Sequence, residues 1–126
     1  CFLGDTMRIF ISLAGLAVAL AAALPAAADT LYWEVRSEHP NVVSLEFYSE
    51  DYDRAWPGGG EVYVLDDYNT RSYNLECSSG EKICMGAWVR GNSDNYWGVG
   101  RDARNSCESC CYVCGRGDTG VQVLNE

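Results

Sequence analysis

The sequence predicts an all-β fold, a small antiparallel β-sandwich or barrel of about seven short strands that disulfides hold together. Two observations lead to this prediction. Apolar and polar residues alternate over several short segments, and turn-forming residues separate these segments at spacings of roughly 8–12 residues. Six of the seven cysteines lie in the second half of the chain, and this even number predicts three disulfides in an exported protein.

The first part of the chain is predicted to be a targeting segment. Met7-Arg8 is a short positive stretch, Ile9 to Leu24 is an apolar run, and Pro25 followed by alanines is typical of a signal-peptidase site. As a helix the run would measure about 24 Å, less than the roughly 30 Å of a bilayer core, so no stable membrane insertion is expected. The predicted division is upstream residues 1–6, a signal peptide 7–28 and a single secreted or periplasmic β domain 29–126.

The charge balance excludes several classes of partner. The formal net charge is −9, and loss of Asp5 and Arg8 with the leader leaves it unchanged. Nucleic acids and anionic membrane surfaces attract lysine and arginine, so neither is an expected partner. A domain of this size buries a modest share of its unfolded surface and gains from covalent cross-links.

Two alternating segments open the domain. In Thr30 to Arg36, Leu31, Trp33 and Val35 share one face, and Val42 to Ser49 has the same pattern. The short turn between them predicts that these two strands form a first hairpin. Further strands are predicted at Glu61–Leu65, Thr70–Cys77, Lys82–Arg90, Tyr96–Arg101 and Val121–Leu124.

A second hairpin is predicted around Gly80-Glu81. A two-residue loop with glycine first suits a type II′ turn, which needs positive φ at that position. Cys77 would then lie opposite Cys84, at a separation that a disulfide tolerates. A four-residue loop, Ser78 to Glu81, would offset the two cysteines by one diagonal.

Three motifs resemble those of a group of small exported bacterial proteins of unknown function. They are Leu-x-Cys-x-x-Gly-Glu-x-Ile-Cys-x-Gly-Ala-Trp from Leu75, Tyr-Trp-Gly-Val-Gly from Tyr96, and Cys-x-x-Cys-Cys-x-x-Cys from Cys107. Met85 stands where that group is expected to have an aromatic residue. The resemblance implies a secreted, cysteine-bearing β domain and implies no activity, so it assigns no functional residue.

The last cysteines have three interpretations. Structural disulfides are favoured by the export signal, either as Cys107–Cys110 with Cys111–Cys114 or as Cys107–Cys111 with Cys110–Cys114. As thiolates, the same four residues have zinc-ligand spacing, although the two pairs abut. A redox-active Cys-x-x-Cys is the third interpretation, without the strand-then-helix context that lowers a thiol pKa.

Aromatic residues in or beside loops suggest a contact surface. Tyr52, Trp56, Tyr96 and Trp97 are predicted to bind a saccharide or a protein, since ring faces stack on apolar sugar faces and bury large area. The competing interpretation is that such rings fill the core, which is favoured for Trp33 and Trp88.

No catalytic constellation is present, so the chain is predicted not to be an enzyme. It has one histidine, His39, in a turn, and no nucleophile elbow or phosphate loop. The function predicted is an exported, non-catalytic binding module without a cofactor. The alternative is a zinc-binding or thiol-redox protein built on Cys107 to Cys114, with calcium at acidic turns such as Glu50 to Asp53 as a further cofactor alternative.

Overall fold

The computed structural model describes residues 27–125 as nine strands and one short 3-10 turn. The strands form two facing sheets, which confirms the predicted all-β, sandwich-like fold; the sheets do not close into a barrel. In chain order the elements are β1 (Ala28–Ser37), β2 (Val43–Ser49), β3 (Ala55–Trp56), β4 (Tyr63–Leu65), β5 (Thr70–Ser78), β6 (Lys82–Val89), β7 (Asn92–Gly98), the 3-10 turn (Arg101–Ala103), β8 (Cys111–Val113) and β9 (Asp118–Leu124).

The larger sheet is built on β2 and β6. These two strands are antiparallel, with Val43 opposite Val89 and Ser49 opposite Ile83. On the edge of β2 that faces away from β6, β4 pairs with the first part of the strand and β3 with the last part. On the edge of β6 that faces away from β2, β8 pairs with the first part of the strand and β7 with the last part. Two short strands therefore share each edge of the larger sheet.

The smaller sheet has the order β5-β1-β9. β1 is antiparallel to β5 over all but its last residue, from Ala28 opposite Ser78 to Arg36 opposite Thr70. β9 runs parallel to β1, which is the one departure from the antiparallel pairing that the sequence predicts.

The main core lies between the two sheets and confirms the predicted alternation. Leu31, Trp33 and Val35 of β1 are buried, as are Val43, Leu45 and Phe47 of β2. The Trp33 ring lies at the centre, 4.9 Å from the Phe47 ring and 5.1 Å from the Tyr112 ring between centroids. Trp33 is thus a core residue, as predicted.

Both predicted hairpins are wrong, because each pair of successive strands belongs to different sheets. β1 and β2 do not pair, and neither do β5 and β6. At the second connection the Glu81 amide donates to the Ser78 carbonyl oxygen at 2.9 Å, so Gly80, with φ of 87°, is the third residue of the turn rather than its second. The chain leaves this turn in the opposite sheet. The alternation of apolar and polar residues does not distinguish a connection between two sheets from a hairpin within one sheet, because the same side chains are buried in both cases.

The disulfides are Cys77–Cys114, Cys84–Cys111 and Cys107–Cys110. All six predicted cysteines are paired, but the predicted Cys77–Cys84 bond is wrong. Cys77 points into the main core, whereas Cys84 points to the outer face of the larger sheet. Cys107–Cys110 agrees with one predicted alternative, and its predicted companion, Cys111–Cys114, is wrong because these residues point to opposite faces near β8.

The outer face of the larger sheet is covered by the segment that follows β7. Cys84, Val99 and Cys110 form a second buried cluster there, so that β6 is buried on both faces from Ile83 to Val89. Trp88 is buried as predicted, but on this outer face rather than in the main core.

The predicted signal peptide lies almost wholly outside the described residues. Between residues 27 and 125, no helix has the length and apolar character needed to cross a membrane. The three disulfides are consistent with an extracellular location.

Candidate functional site

The four aromatic residues predicted to bind a ligand lie at opposite edges of the larger sheet. Tyr52 precedes β3 and Trp56 ends it, while Tyr96 and Trp97 belong to β7. Because β2 and β6 separate these edges, the two groups are about 14 Å apart at a strand spacing of about 4.8 Å. The structure brings together the members of each group and does not form one surface from all four.

Tyr96 and Trp97 point to opposite faces, as neighbours on a strand do. Trp97 lies opposite Ala87, packs against the main core, and donates from Nε1 to the Asn125 carbonyl oxygen at 3.0 Å. The His39 ring packs edge-on against it, with centroids 5.6 Å apart. Tyr96 is exposed on the outer face. This edge therefore offers one exposed ring.

At the β3 edge, Tyr52 and Trp56 are joined by Arg54. The guanidinium carbon of Arg54 lies 5.0 Å from the centroid of the Trp56 ring and 5.6 Å from that of the Tyr52 ring. Tyr52 is 51% exposed, and Trp56 is half-buried with its inner side against the core. We call these three side chains, Tyr52, Arg54 and Trp56, the Arg54 platform.

Hydrogen bonds to neighbouring elements fix two of the three platform side chains. Arg54 Nε donates to Glu81 Oε2 at 3.0 Å, and its terminal NH2 group donates to Glu81 Oε1. Trp56 Nε1 donates to the Glu76 carbonyl oxygen of β5 at 3.2 Å, which ties the edge of the larger sheet to the smaller one. The positions of the Arg54 and Trp56 side chains are therefore set before any ligand arrives.

Glu81 belongs to this candidate site, although the sequence predicted it only as the second residue of the Gly80-Glu81 loop. The residue is only 2% exposed. Burial alone would raise the pKa of its carboxyl group, but hydrogen bonds from Arg54, the Ser49 side chain and the Ser78 backbone N–H bring the pKa below its usual value. The one sequence signal was an acidic residue between a glycine turn and the apolar strand β6.

The loop after Trp56 leaves space beside the strand. Gly58, Gly59 and Gly60 all have φ between 68° and 87°, a region that other residues rarely occupy. A Cβ atom at Gly59 or Gly60 would meet nothing within 4 Å. The three glycines thus form a compact turn without side chains that would cover the edge.

A second candidate site is a cleft of about 430 Å³ on the outer face, beside two disulfides; we call it the sulfur cleft. Glu50 Oε1 lies 3.3 Å from Cys84 Sγ and 4.0 Å from Cys111 Sγ, and Lys82 Nζ lies 3.4 Å from Glu50 Oε2. The residues lining the cleft are Tyr48, Ser49, Glu50, Lys82, Cys84, Val99, Ala103, Asn105, Ser106, Cys107 and Glu108.

The four cysteines of the zinc alternative are not brought together. Cys114 is bonded to Cys77 in the main core, on the other face of the larger sheet from Cys111. All six cysteines of residues 27–125 are in disulfides, so this form presents no thiolate there. Within that range, Glu50, Cys84 and Cys111 are the one group of three or more such residues whose potential metal-ligating atoms all lie within 4.8 Å of one another.

The acidic turns of the calcium alternative use their carboxylates in other ways. Asp51 Oδ2 accepts a hydrogen bond from the Lys82 backbone N–H at 2.8 Å. Asp67 accepts one from the Asn69 N–H at 3.0 Å and pairs with Arg71 at 2.7 Å, and these bonds lower its pKa. Such contacts stabilise the turns themselves.

A third concave region, of about 330 Å³, lies against Trp88 on the outer face. Burial raises the pKa of Glu46, which lies in it, although a hydrogen bond from the Tyr48 hydroxyl at 3.2 Å acts in the other direction. Burial likewise raises the pKa of Tyr48, whose oxygen accepts the Asp102 N–H at 3.0 Å. Asp102 and Ala103 have φ of 57° and 54°, a left-handed conformation that is strained for both.

Of the three regions, the Arg54 platform contains two of the four predicted ligand-binding residues. The sulfur cleft is lined by Cys107, one of the four cysteines of the alternative function. The Trp88 region was not predicted as a site. No protein-family model, curated protein or solved structure matches this chain.

Proposed function

We propose that the protein is an exported, non-catalytic binding module that holds a saccharide against the Arg54 platform. The observation that supports this proposal most directly is that one guanidinium lies over two aromatic rings, 5.0 Å from the Trp56 centroid and 5.6 Å from that of Tyr52, which is half exposed. Such a surface combines apolar ring faces with hydrogen-bond donors.

Two of the three platform side chains are held in place before binding. Arg54 is held by the buried carboxylate of Glu81, and Trp56 by the backbone of β5. A site that is already ordered loses less conformational entropy on association. Exposed loops usually lack this advantage, so the buried Glu81 contact makes this loop a better candidate than the other exposed aromatic positions.

The chemistry around the platform fits sugar hydroxyl groups. The exposed carboxylate of Asp53 follows Tyr52 in sequence and can accept hydrogen bonds, while the guanidinium N–H groups of Arg54 that Glu81 does not use can donate them. The rings of Tyr52 and Trp56 offer the apolar surface on which a pyranose can stack. These three platform side chains include no nucleophile paired with a base, so we propose binding without bond cleavage.

The test is a titration of the native, disulfide-bonded protein with soluble hexasaccharides of glucose, xylose and N-acetylglucosamine. Calorimetry and tryptophan fluorescence detect the binding. Tyr52→Ala removes an exposed ring, so we expect a loss of affinity of at least tenfold with little change in folding. Trp56→Phe keeps a ring but loses the bond to Glu76, and we expect a smaller loss.

The matched control is Tyr68→Ala, since Tyr68 is 62% exposed in a different turn. The affinity of Tyr68→Ala for the hexasaccharide is expected to equal that of the unchanged protein. The proposal is contradicted if Tyr52→Ala and Tyr68→Ala reduce the affinity equally. It is also contradicted if the unchanged protein binds none of the three sugars.

The competing proposal is a zinc-binding protein, favoured by the grouping of Glu50, Cys84 and Cys111. It requires reduction of Cys84–Cys111, because a disulfide sulfur is a poor ligand for zinc. Thiol counting and zinc analysis of protein purified without reductant separate the two. Stoichiometric zinc with free Cys84 and Cys111 supports the metal site, whereas three intact disulfides without zinc contradict it.

A further inference from the structure

Four of the six paired cysteines lie side by side on the outer face of the larger sheet. Cys84–Cys111 joins directly opposed residues of β6 and β8, and Cys107–Cys110 closes the loop just before β8. Cys110 Sγ lies 4.0 Å from Cys111 Sγ. The third disulfide is separate from this group, since it lies in the main core.

The two sulfurs of Cys107–Cys110 differ in access. Cys107 is half-buried and lines the sulfur cleft, whereas Cys110 is only 6% exposed. An attacking thiolate can therefore reach Cys107, and Cys110 is the sulfur that leaves. The Cys107 carbonyl oxygen lies 3.1 Å from Cys110 Sγ, where it can accept a hydrogen bond from the thiol that forms.

The neighbouring disulfide keeps the leaving sulfur in place. Cys111 follows Cys110 directly and is bonded to Cys84 of β6, which is 1% exposed. When Cys107–Cys110 opens, the chain stays attached to the sheet one residue later. The bond can thus break and re-form without release of β8 from the sheet.

We propose that Cys107–Cys110 is a thiol–disulfide exchange site that oxidises a dithiol in another exported polypeptide. A substrate thiolate attacks Cys107 Sγ, the new sulfur–sulfur bond forms there, and the Cys107–Cys110 bond breaks with its electron pair on Cys110, which takes up a proton from water. The second substrate thiolate then attacks the substrate sulfur of the mixed disulfide and releases Cys107 as a thiolate. Two electrons pass from the substrate dithiol to the protein disulfide.

The charges around the cleft select among substrates. Glu50 and Glu108 line it, Lys82 is paired with Glu50, and the chain carries a net charge of −9. A dithiol segment with basic residues beside its cysteines is attracted, and an acidic one is repelled. The substrate class is therefore a basic dithiol peptide segment.

The first experiment uses the native protein and a synthetic peptide with two cysteines flanked by lysines, in its reduced form. After acid quenching and alkylation, mass spectrometry locates the protein thiols. We expect Cys107 and Cys110 to be labelled at least ten times faster than Cys77 and Cys114, with one peptide disulfide formed per protein and an unchanged near-UV circular dichroism spectrum. Equal labelling of all cysteines, or labelling only upon unfolding, overturns the proposal.

Two single variants test the assigned order of the sulfurs. Cys110→Ser leaves Cys107 as a thiol in the cleft, and Cys107→Ser leaves Cys110 as a thiol beneath the loop. With the oxidised peptide, Cys110→Ser is expected to form a mixed disulfide at least ten times faster than Cys107→Ser. Equal rates contradict the assignment of Cys107 as the attacked sulfur. A glutamate-flanked peptide is expected to react more slowly than the lysine-flanked one, and the reverse order contradicts the proposed substrate class.

Discussion

At the scale of single residues, Glu81 decides the geometry of the candidate binding surface. Its carboxylate is buried yet charged, and it accepts hydrogen bonds from Arg54 and from the Ser78 backbone N–H. One side chain thus closes the turn between β5 and β6 and also holds the guanidinium of the Arg54 platform. Loss of the Glu81 charge therefore weakens the hydrogen bonds that close the turn and those that hold Arg54 in the platform.

We expect Glu81→Gln to lower the free energy of unfolding by roughly 1.5–3 kcal/mol at neutral pH, the range for hydrogen bonds to charged groups. The folded state lowers the pKa of Glu81 from its usual 4.5, so the carboxylate stabilises the fold above that pH and loses this contribution as the pH falls through the folded pKa. The difference in the free energy of unfolding between the unchanged protein and the variant is therefore expected to be largest at pH 7 and to decrease below pH 4.5. Urea unfolding at a series of pH values measures it.

Glu61→Gln is the control for this prediction, because Glu61 is exposed and its side chain is in no ion pair between residues 27 and 125. Its unfolding midpoint is expected to match that of the unchanged protein. If the two glutamine variants have the same stability from pH 7 to pH 3, Glu81 does not have the role assigned to it.

At the scale of elements, β6 is the strand on which both sides of the larger sheet depend. Ile83, Met85 and Ala87 of this strand face the main core, and its outer face is covered by the chain after β7. The approach is closest at Gly86, where a Cβ atom would clash with the Gly100 carbonyl oxygen and lie 2.8 Å from Tyr48 Cε2. The covering segment can lie this close only because position 86 has no side chain.

We expect Gly86→Ala to destabilise the protein by roughly 1–3 kcal/mol or more, the usual range for overpacking. Gly60→Ala is the comparison, since φ there is 77° but a Cβ atom has open space, so that only backbone strain of about 1 kcal/mol is expected. Chemical unfolding ranks the two. A smaller effect at Gly86 than at Gly60 contradicts the close packing of the covering segment.

The sequence predicted what each strand buries but not which strand it pairs with. Leu31, Trp33 and Val35 face the core as their alternation indicated, because the period of a strand is visible locally. The partner of a strand depends on contacts far along the chain, and the turn at Gly80 suits a hairpin and a crossing between sheets equally well. The disulfide prediction failed for the same reason, since it assumed that Cys77 and Cys84 shared a sheet.

The candidate site was predictable in part. The aromatic residues Tyr52 and Trp56 were visible as unusual members of a loop rich in acidic residues and glycine. Their separation from Tyr96 and Trp97 was not, because it follows from the sheet order. The role of Glu81 was also hidden, since an ion pair between a buried carboxylate and an arginine far away in sequence has no local pattern.

At the scale of the whole molecule, the disulfides divide into one that joins the two sheets and two that secure the outer face. Cys77–Cys114 links β5 to the chain just after β8 across 37 positions, whereas Cys107–Cys110 spans only 3. Restriction of the unfolded chain grows with the size of the closed loop. The contribution of the three bonds to stability is therefore unequal.

We expect the double variant Cys77→Ala/Cys114→Ala to have a free energy of unfolding about 4 kcal/mol lower than that of the unchanged protein, because its unfolded chain is no longer restricted by the bond. For Cys107→Ala/Cys110→Ala the expected decrease is about 2 kcal/mol. For a domain of this size each kcal/mol shifts the melting temperature by about 4–8 °C. Differential scanning calorimetry checks the order of the two variants. A larger loss from the Cys107/Cys110 variant contradicts the assignment of Cys77–Cys114 as the main cross-link.

The parallel pairing of β1 with β9 constrains how the polypeptide reaches its native state. Among residues 27–125, the central strand of the smaller sheet, Ala28–Ser37, is the first strand in chain order, and its partner Asp118–Leu124 is the last. The smaller sheet therefore cannot be completed until Asp118–Leu124 has left the ribosome. The strands of the larger sheet all lie between these two, so they can pair with one another earlier.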